Sequence, residues 1–435
     1  MISVQNHLPQ LSGNRLLAVF VLPVVLISCG AFKKNSRNLE WPVDEEIVVV
    51  EPEQKPEKIK PTPVELKKDD NKTVYSTVRF KGENFKVPQH KDDFHIAILL
   101  PFHSFGTNSV QDEKRGALML EYYQGMKLAI PQIEKLGSKF TLHFFDTDND
   151  TSRLKILLNR GEMESMDLII GPTDEDQVRI AAYYAKKREI PLFSPITTNY
   201  TVWSENPYLF NLNPSDKLQA QAFIRYFKKY HRGEKLVLLR DGKKFDLGFG
   251  AALAEELKTE KINYSLVPFS KYIKWADYLG ESKAVIISTV QDKTNMLYTV
   301  NSLLGKADKV TLMGPEHWLE FSSVDYSYWE KLHVCFISTN AAEVRNKQSI
   351  EMLTQFHSQF KGEPSWFTYM GYDQLLFTCE LLDAFGTAFP SFISNKVLPY
   401  SNSSFNMVMV DGAYNNRFLQ LFQFREKELI PLSLE

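Results

Sequence analysis

Short runs of apolar residues alternate along the chain with longer segments whose apolar residues recur at helical spacing. In residues 167–199, apolar runs at residues 168–170 and 191–193 flank a segment with Val178 and Ala181 on one face. Runs that are apolar throughout are typical of strands buried on both faces of a parallel sheet, and the spacing between them predicts a helix. Residues 167–199 are therefore predicted to form a strand–helix–strand unit.

The same alternation continues from residue 94 to the end of the chain. The runs predicted as strands are residues 95–102, 140–145, 168–170, 191–193, 208–213, 236–239, 264–268, 284–287, 310–313 and 333–338. Residues 116–136 are predicted as a long helix. Residues 405–424 are predicted as a hairpin that turns at Asp411-Gly412, a dipeptide that favours tight turns. Alternating strands and helices predict an α/β fold with parallel sheets.

The N-terminus has the pattern of an export signal. Arg15 precedes an apolar run, residues 16–27, which is too short for a comfortable membrane span and ends at Ser28-Cys29-Gly30. This end resembles a bacterial lipobox, which implies cleavage of residues 1–28 and a lipid on the Cys29 sulfur. An ordinary signal peptide or a single-span anchor are the alternatives.

Proline and charge dominate the segment that follows. Residues 29–93 are predicted to be a disordered, extended tether, because this composition buries too little apolar surface to fold. No acidic residue follows Cys29 directly, which favours a periplasm-facing protein of the cell envelope, with the outer membrane preferred over the inner. Cys335 and Cys379 are expected to form either a disulfide or two buried thiols.

Charge and motifs narrow the function classes. The net charge is −2 and no basic stripe is present, so no nucleic-acid partner is expected. Zinc-ligand spacing, a phosphate-binding loop and a Gly-x-Ser-x-Gly elbow are all missing from the sequence. We therefore predict a protein that is not an enzyme and that needs no metal or cofactor.

Ten segments resemble, in order, those of type 1 periplasmic binding proteins of the leucine-binding-like group. They are IAILLPF, YYQGMKLAI, FFDTDND, DLIIGP, IPLFSPITTN, NPYLFNLNPSDKLQAQAFIRYF, LVLLRDGKKFDLGFGAALAEEL, AVIISTVQD, TLMGPEHW and GYDQLLFTCELLDAF. The resemblance covers residues 94–435. It implies two Rossmann-like lobes with parallel sheets joined by three crossing strands, with a ligand in the cleft. Lobe 1 would comprise residues 94–213 and 339–435, and lobe 2 residues 214–338.

The resemblance also implies a set of ligand-binding residues at the carboxyl ends of strands, where ligands of α/β sheets bind. They are Thr173, Glu175, Ser194, Thr197 and Thr198 in lobe 1, and Phe245, Thr289 and Glu316 in lobe 2. Thr198 would donate to a ligand carboxylate, and Glu316 would pair with a ligand ammonium group. These two positions favour an amino-acid-like ligand.

Two departures argue against a conventional branched-chain amino-acid site. Glu175 stands where the family has a small hydroxyl, and it would repel a carboxylate or select a cationic group, unless the acids around it serve only to cap a helix. The family often has an aromatic residue before its Gly-x-Gly turn. Here Leu247 precedes Gly248-Phe249-Gly250, so the aromatic residue is displaced and Phe245 would have to substitute.

Two functions fit these observations. The first is a lipid-anchored solute-binding protein that delivers a small polar ligand to an ABC permease or acts as a sensor. The second is an outer-membrane lipoprotein that activates a peptidoglycan synthase through protein–protein contacts, since such activators resemble the same fold. The expected partners are therefore a small molecule, a membrane reached through the lipid, and either an ABC permease or a cell-wall synthase.

Overall fold

The structure of the chain is a computed structural model. The structure describes residues 46–50, 74–104, 106, 109–198, 205–243, 246–321, 323–339, 346–393 and 395–433. The predicted signal and most of the predicted tether therefore lie outside the described residues. Within these ranges, each helix is too short or too polar to cross a membrane.

The described ranges contain eighteen strands. In chain order they are β1 (Glu46–Val50), β2 (Tyr75–Phe80), β3 (Glu83–Pro88), β4 (Asp93–Leu100), β5 (Lys139–Asp146), β6 (Leu168–Ile170), β7 (Leu192–Ser194), β8 (Leu209–Asn211), β9 (Lys235–Arg240), β10 (Ser265–Pro268), β11 (Ala284–Ser288), β12 (Val310–Gly314), β13 (Cys335–Ser338), β14 (Val397–Pro399), β15 (Ser404–Val410), β16 (Ala413–Asn416), β17 (Gln420–Arg425) and β18 (Glu428–Leu432). Each of the ten runs predicted as strands coincides with one of them to within a few residues.

Eleven α-helices lie between these strands in the described ranges. They are α1 (Val110–Ile133), α2 (Thr151–Leu158), α3 (Glu175–Arg188), α4 (Asp216–Tyr230), α5 (Ala251–Thr259), α6 (Ala276–Leu279), α7 (Lys293–Leu303), α8 (Tyr326–Lys331), α9 (Lys347–Gln359), α10 (Trp366–Phe385) and α11 (Pro390–Ile393). The helix predicted at residues 116–136 corresponds to α1, which begins six residues earlier because the Ser109 side chain caps it by accepting from the Asp112 N–H.

Two sheets divide the chain into two lobes. The lobe 1 sheet has nine strands in the order β1-β5-β4-β6-β7-β8-β16-β15-β14, and the lobe 2 sheet has seven in the order β10-β9-β11-β12-β13-β17-β18. In each lobe the first five strands of the α/β unit run in parallel and follow the same order, 2-1-3-4-5. In such sheets the ligand crevice lies where the strand order reverses, which is between β4 and β6 in lobe 1 and between β9 and β11 in lobe 2.

The prediction of wholly parallel sheets needs a correction at the edges. β1 is antiparallel to β5, β14 and β16 are antiparallel to β15, and β17 is antiparallel to both β13 and β18. The central parallel strands β6, β7, β8, β11 and β12 are completely buried, whereas the added strands β15 and β17 mix buried and exposed residues, as is usual for antiparallel pairs.

The prediction of a disordered tether up to residue 93 is wrong for two segments. β1 lies at the edge of the lobe 1 sheet, and β2 and β3 form an antiparallel hairpin ahead of residue 94. Phe80 and Phe85 of this hairpin contact the Phe385 ring edge-on, at centroid distances of 5.0 and 5.3 Å. The hairpin folds because these two rings and Val87 cover apolar surface of lobe 1.

The lobe assignment of residues 339–435 is also corrected at its end. The Asp411-Gly412 turn joins β15 to β16, with both residues at positive φ, as the hairpin prediction requires. β17 does not join this hairpin, because it pairs with β13 in the lobe 2 sheet. The chain therefore crosses between the lobes three times: after β8, after β13 and after β16.

Each lobe has helices on both faces of its sheet. In lobe 1, α1 and α10 pack on one face while α2 and α3 pack on the other. Cys379 lies in lobe 1 and Cys335 in lobe 2, and both are free, buried thiols. The disulfide alternative is therefore excluded in this structure.

Candidate functional site

The loop after β7 is held in place by polar contacts from distant elements. Ser194 is completely buried, and its hydroxyl hydrogen-bonds the Thr197 hydroxyl. Gln374 of α10 donates to the Pro195 carbonyl at 3.1 Å, and Asn213 of the first crossing donates to the Ile196 carbonyl at 2.9 Å. The loop that carries three predicted ligand residues is thus a fixed part of the scaffold.

Thr198 connects this loop to lobe 2 through Asp216, the first residue of α4. The Asp216 N–H donates to the Thr198 carbonyl at 3.2 Å, and the Thr198 side chain hydrogen-bonds the Asp216 carboxylate. Burial raises the pKa of Asp216 to about 6, the Thr198 bond opposes that rise, and the negative charge of Glu175 adds to it. The predicted hydroxyl donor therefore serves a carboxylate of the protein itself.

Gly248 allows this carboxylate to lie against the lobe 2 turn. A Cβ atom on Gly248 would come within 2.6 Å of Asp216 Oδ2. Leu247, which precedes it, is 68% exposed, whereas Phe249 is buried in lobe 2. The displaced aromatic residue is therefore a core residue and not a stacking platform, while Phe245 lies outside the described residues.

The loop after β6 carries Thr173 and the acidic run. Thr173 and Glu175 are half-buried. Asp174 caps α3, because its carboxylate accepts from the Asp176 N–H at 3.1 Å, and Asp176 lies 3.3 Å from Arg179. The helix-capping alternative is thus correct for Asp174, and Glu175 remains as the acid that acts on Asp216.

Thr289 belongs to a buried ion-pair network behind the crevice of lobe 2. Arg240 Nε lies 2.6 and 2.7 Å from the two carboxylate oxygens of Asp246, and Thr289 Oγ1 lies 3.2 Å from one of them. The hydrogen bond to Asp246 raises the pKa of Arg240. Because Thr289 is completely buried in this network, it fixes the ends of β9 and β11.

Glu316 is bound to the second crossing. Its carboxylate accepts from the Ser338 hydroxyl and, at 3.4 Å, from the Thr339 N–H. His317 beside it contacts the Gln291 carbonyl at 2.6 Å, and burial lowers the pKa of its imidazole. Glu316 is half-buried at the carboxyl end of β12, as its predicted position requires.

A cavity lies where the crossings meet. It is lined by Leu212, Asn213, Thr339, Trp366, Met370, Gln374, Ser403, Phe405 and Asn416. The Asn416 side chain donates to the Leu212 carbonyl at 2.9 Å and accepts from the Phe418 N–H at 3.0 Å. This one amide therefore ties the first crossing to the third.

Three residues near the strand ends, Asp216, Asn416 and His103, have no sequence signal that distinguishes them as functional candidates. Asp216 follows the N-cap Ser215 and has only the sequence signal of a helix start. Asn416 sits at the end of an ordinary strand. His103 lies three residues after the end of β4 with a φ of 56°, which a sequence does not reveal. Cys29, the predicted lipidation site, lies outside the described residues.

The fold and the polar strand ends define a two-lobed α/β protein with a crevice at the carboxyl ends of its parallel strands. The family described as "Receptor family ligand binding region" matches residues 122–388, which is more than half of the chain. The chain belongs to this family, whose members include the type 1 periplasmic binding proteins. A search of the curated proteins finds no match.

Solved structures with the same fold include substrate-binding proteins of ABC transporters. A protein from Desulfitobacterium hafniense in complex with Leu has a TM-score of 0.54 at 14% identity, covering 78% of this chain and 100% of its own. LivJ from Streptococcus pneumoniae in complex with isoleucine gives 0.51 at 14%, with the same coverage. A putative branched-chain amino acid transporter protein from Rhodospirillum rubrum gives 0.59 at 9%, again with that coverage. At these identities the likeness establishes the fold.

Proposed function

We propose that the protein is a lipid-anchored solute-binding protein of the cell envelope, which holds a small, polar, amino-acid-like ligand between its lobes. The observation that carries this proposal is the matching strand order of the two lobes. Each lobe therefore has a crevice at the carboxyl ends of its strands, and three crossings connect the two lobes. The neighbours that bind Leu and isoleucine support it. Closure around the ligand would be a hinge motion about the crossings.

Glu316 is the proposed partner of a ligand ammonium group. Glu316 lies two residues after the end of β12, and the Ser338 hydroxyl orients its half-buried carboxylate. This carboxylate can accept a further charge-assisted hydrogen bond. The Glu316→Gln variant of the full chain in detergent should bind the preferred ligand at least tenfold more weakly, because an ion pair shielded from water is lost. Isothermal titration calorimetry against a panel of amino acids and short peptides measures this.

A surface acid supplies the matched control. Glu281 is 88% exposed and pairs with Lys309 at the lobe 2 surface, so Glu281→Gln should bind as the wild type does. If no member of the panel gives a heat of binding with the wild type, the solute-binding function is wrong. If a ligand binds equally well to Glu316→Gln, only the role of Glu316 is wrong.

The lipid anchor is a separate proposal, carried by the sequence at Cys29. The Cys29→Ala variant should move from the membrane fraction to the soluble fraction, because acyl chains on this residue would supply the membrane affinity. Cell fractionation with immunoblotting measures the distribution. An unchanged membrane fraction would argue for the alternative of a single-span anchor.

One surface feature favours the second candidate function, activation of a cell-wall synthase. A groove between α2 and α3 has an apolar floor of Leu158, Ile180 and Tyr184, and Tyr183 beside it is 74% exposed. Exposed aromatic residues of this kind are typical of protein-binding surfaces. If the purified synthase binds the wild type but not Tyr183→Ser, and no solute binds, the activator function is the correct one.

A further inference from the structure

Four polar side chains at the strand ends of lobe 1 have buried atoms that lack a partner. These residues, His103, Thr147, Asn149 and Gln177, are called the lobe-1 polar cluster below. Within the described residues, His103 Nε2, Thr147 Oγ1, Asn149 Oδ1 and both amide atoms of Gln177 make no hydrogen bond. The His103 side chain is 5% exposed, and Thr147 and Gln177 are completely buried.

The chain brings these residues to one end of the lobe 1 sheet. His103 follows β4, Thr147 and Asn149 follow β5, and Gln177 is in the first turn of α3, just after the β6 loop. The buried Asp146 carboxylate binds the first two loops together, accepting from the Phe102 N–H at 2.9 Å and from the Asp148 N–H at 2.8 Å. The cluster is therefore placed by rigid elements, and it adjoins the crevice between β4 and β6.

Such a cluster is costly if nothing binds it. A buried polar atom without a partner destabilises a fold by roughly 1–3 kcal/mol, so folded proteins contain few of them. Violations of this kind are expected where a ligand completes the hydrogen bonding. The site already described through Thr198 and Glu316 uses none of these four residues.

His103 indicates which chemical group would complete the cluster. Its Nδ1 lies 2.8 Å from Asp148 Oδ1, so a neutral imidazole donates there and leaves Nε2 as an acceptor. Asn149 Oδ1 and Gln177 Oε1 are acceptors as well, so these three acceptors outnumber Gln177 Nε2, the unpartnered nitrogen donor of the cluster. Three carboxylates at this end of the lobe, those of Asp146, Asp148 and Glu175, outnumber the Arg153 guanidinium, whose Nε donates to the Asp146 carbonyl at 2.6 Å. This charge balance favours a cation over an anion.

We propose that the lobe-1 polar cluster binds an ammonium group of an amine-bearing solute, with His103 Nε2 as its principal acceptor. This inference rests on the proposed solute-binding function and names one part of the ligand. It also accounts for Glu175, the acid that replaces a small hydroxyl beside the crevice. A diamine is the simplest ligand of this class, since it offers donors and positive charge without a carboxylate.

Putrescine and succinate are suitable probes, because both have four carbons and they differ in the sign of their charge. The full chain in detergent should bind putrescine and not succinate by calorimetry. Putrescine should also shift the imidazole 15N resonance of His103.

Gln177→Leu has nearly the same volume, so its unfolding free energy should be unchanged or higher while its putrescine affinity falls at least tenfold. His103→Leu should lose as much affinity, and His357→Leu, at a half-exposed site on α9, none.

Several outcomes would overturn the proposal. Equal putrescine affinity in the wild type and in Gln177→Leu would show that the cluster holds ordered water only. If succinate binds and its binding depends on His103, the predicted charge of the ligand is wrong. If neither putrescine nor succinate binds, the lobe-1 polar cluster is not a binding site. In each of these cases, an amino acid that still gives a heat of binding leaves the solute-binding function intact. If the whole amino-acid and peptide panel is silent too, the function fails with the inference.

Discussion

The Asp216 carboxylate shows how one side chain couples the two lobes. It begins α4 in lobe 2, accepts from the Thr198 side chain in lobe 1 and lies against Gly248. Burial raises its pKa first, and the Glu175 charge raises it further. A carboxylate in this position reports on the separation of the lobes, because both the Thr198 bond and the Glu175 charge come from the other lobe.

Neutralising Glu175 should change the titration of Asp216. In Glu175→Gln the pKa of Asp216 should fall below about 6, because the repulsion that disfavours the ionised form is removed. Carboxyl 13C NMR across a pH titration measures this directly. Glu164→Gln, whose acid pairs with Arg188 at 2.6 Å, should leave the Asp216 titration unchanged. An unaltered pKa in Glu175→Gln would place the two acids too far apart to interact.

The same group predicts a pH dependence of stability. The pKa of Asp216 is about 6 in the folded state and 3.8 ordinarily, so the native state binds more protons than the unfolded state between these pH values. The free energy of unfolding therefore falls as the pH rises from about 4 to about 6. Asp216→Asn should remove this decline. Its free energy of unfolding at pH 7 should exceed that of the wild type by about 1–2 kcal/mol, after allowance for solvent screening of a half-buried group. Urea unfolding at pH 4 and pH 7 tests it, and equal losses in both proteins would contradict it.

At the scale of elements, the contact of α1 with α10 depends on two glycines. A Cβ on Gly125 would lie 1.9 Å from the Thr368 carbonyl oxygen, and one on Gly371 would lie 1.9 Å from the Tyr122 carbonyl oxygen. Because neither glycine has a side chain, the backbones of the two helices can approach each other at these positions. This close approach places Gln374, which also binds Tyr122, against the loop after β7.

Adding one methyl group at this contact should be destabilising. Gly125→Ala forces backbone atoms apart, and overpacking of this kind costs about 1–3 kcal/mol or more. The midpoint of urea unfolding should fall accordingly. Gly161→Ala is the control, since its Cβ would meet no atom within 4 Å and its φ is not positive. Equal midpoints for Gly125→Ala and the wild type would mean that the helices separate at little cost.

The elements that the sequence predicted well are those whose surroundings are uniform. β6 is buried along its whole length, so its apolar run identified it directly. The β2–β3 hairpin alternates polar and apolar residues within a charged segment, and its stability comes from Phe385, about 300 positions away along the chain. β17 looks like a hairpin partner of β15 because proximity in sequence favours that pairing, but it pairs with the following strand β18 and with β13, which is far away in sequence.

At the scale of the whole molecule, the sequence placed candidate residues at strand ends but did not reveal the partners of their side chains. Ser194, Thr198 and Glu316 lie at strand ends as predicted. Their hydrogen bonds go to Thr197, Asp216 and Ser338, and two of these pairs join segments that are widely separated in sequence. A hydroxyl or a carboxylate in a sequence shows what a residue can bind, whereas the tertiary structure determines which neighbour competes with the ligand.

The coupling of the lobes can be tested at the crossings, where Asn416 contacts both the first and the third. In Asn416→Ala the Leu212 and Ser404 carbonyls and the Asn406 and Phe418 N–H groups lose their side-chain partner in a buried site. Each unpaired group costs roughly 1–3 kcal/mol, so the connection between the lobes should weaken more than either core does.

We expect the wild type to unfold in urea in one transition, seen alike by far-UV circular dichroism and by tryptophan fluorescence, to which the buried Trp318 and Trp329 of lobe 2 contribute. The variant should show two transitions that differ between the probes, whereas Asn301→Ala, on the exposed face of α7, should behave as the wild type. A single transition in Asn416→Ala at the wild-type midpoint would show that packing across the crossings, and not this amide, holds the two lobes together.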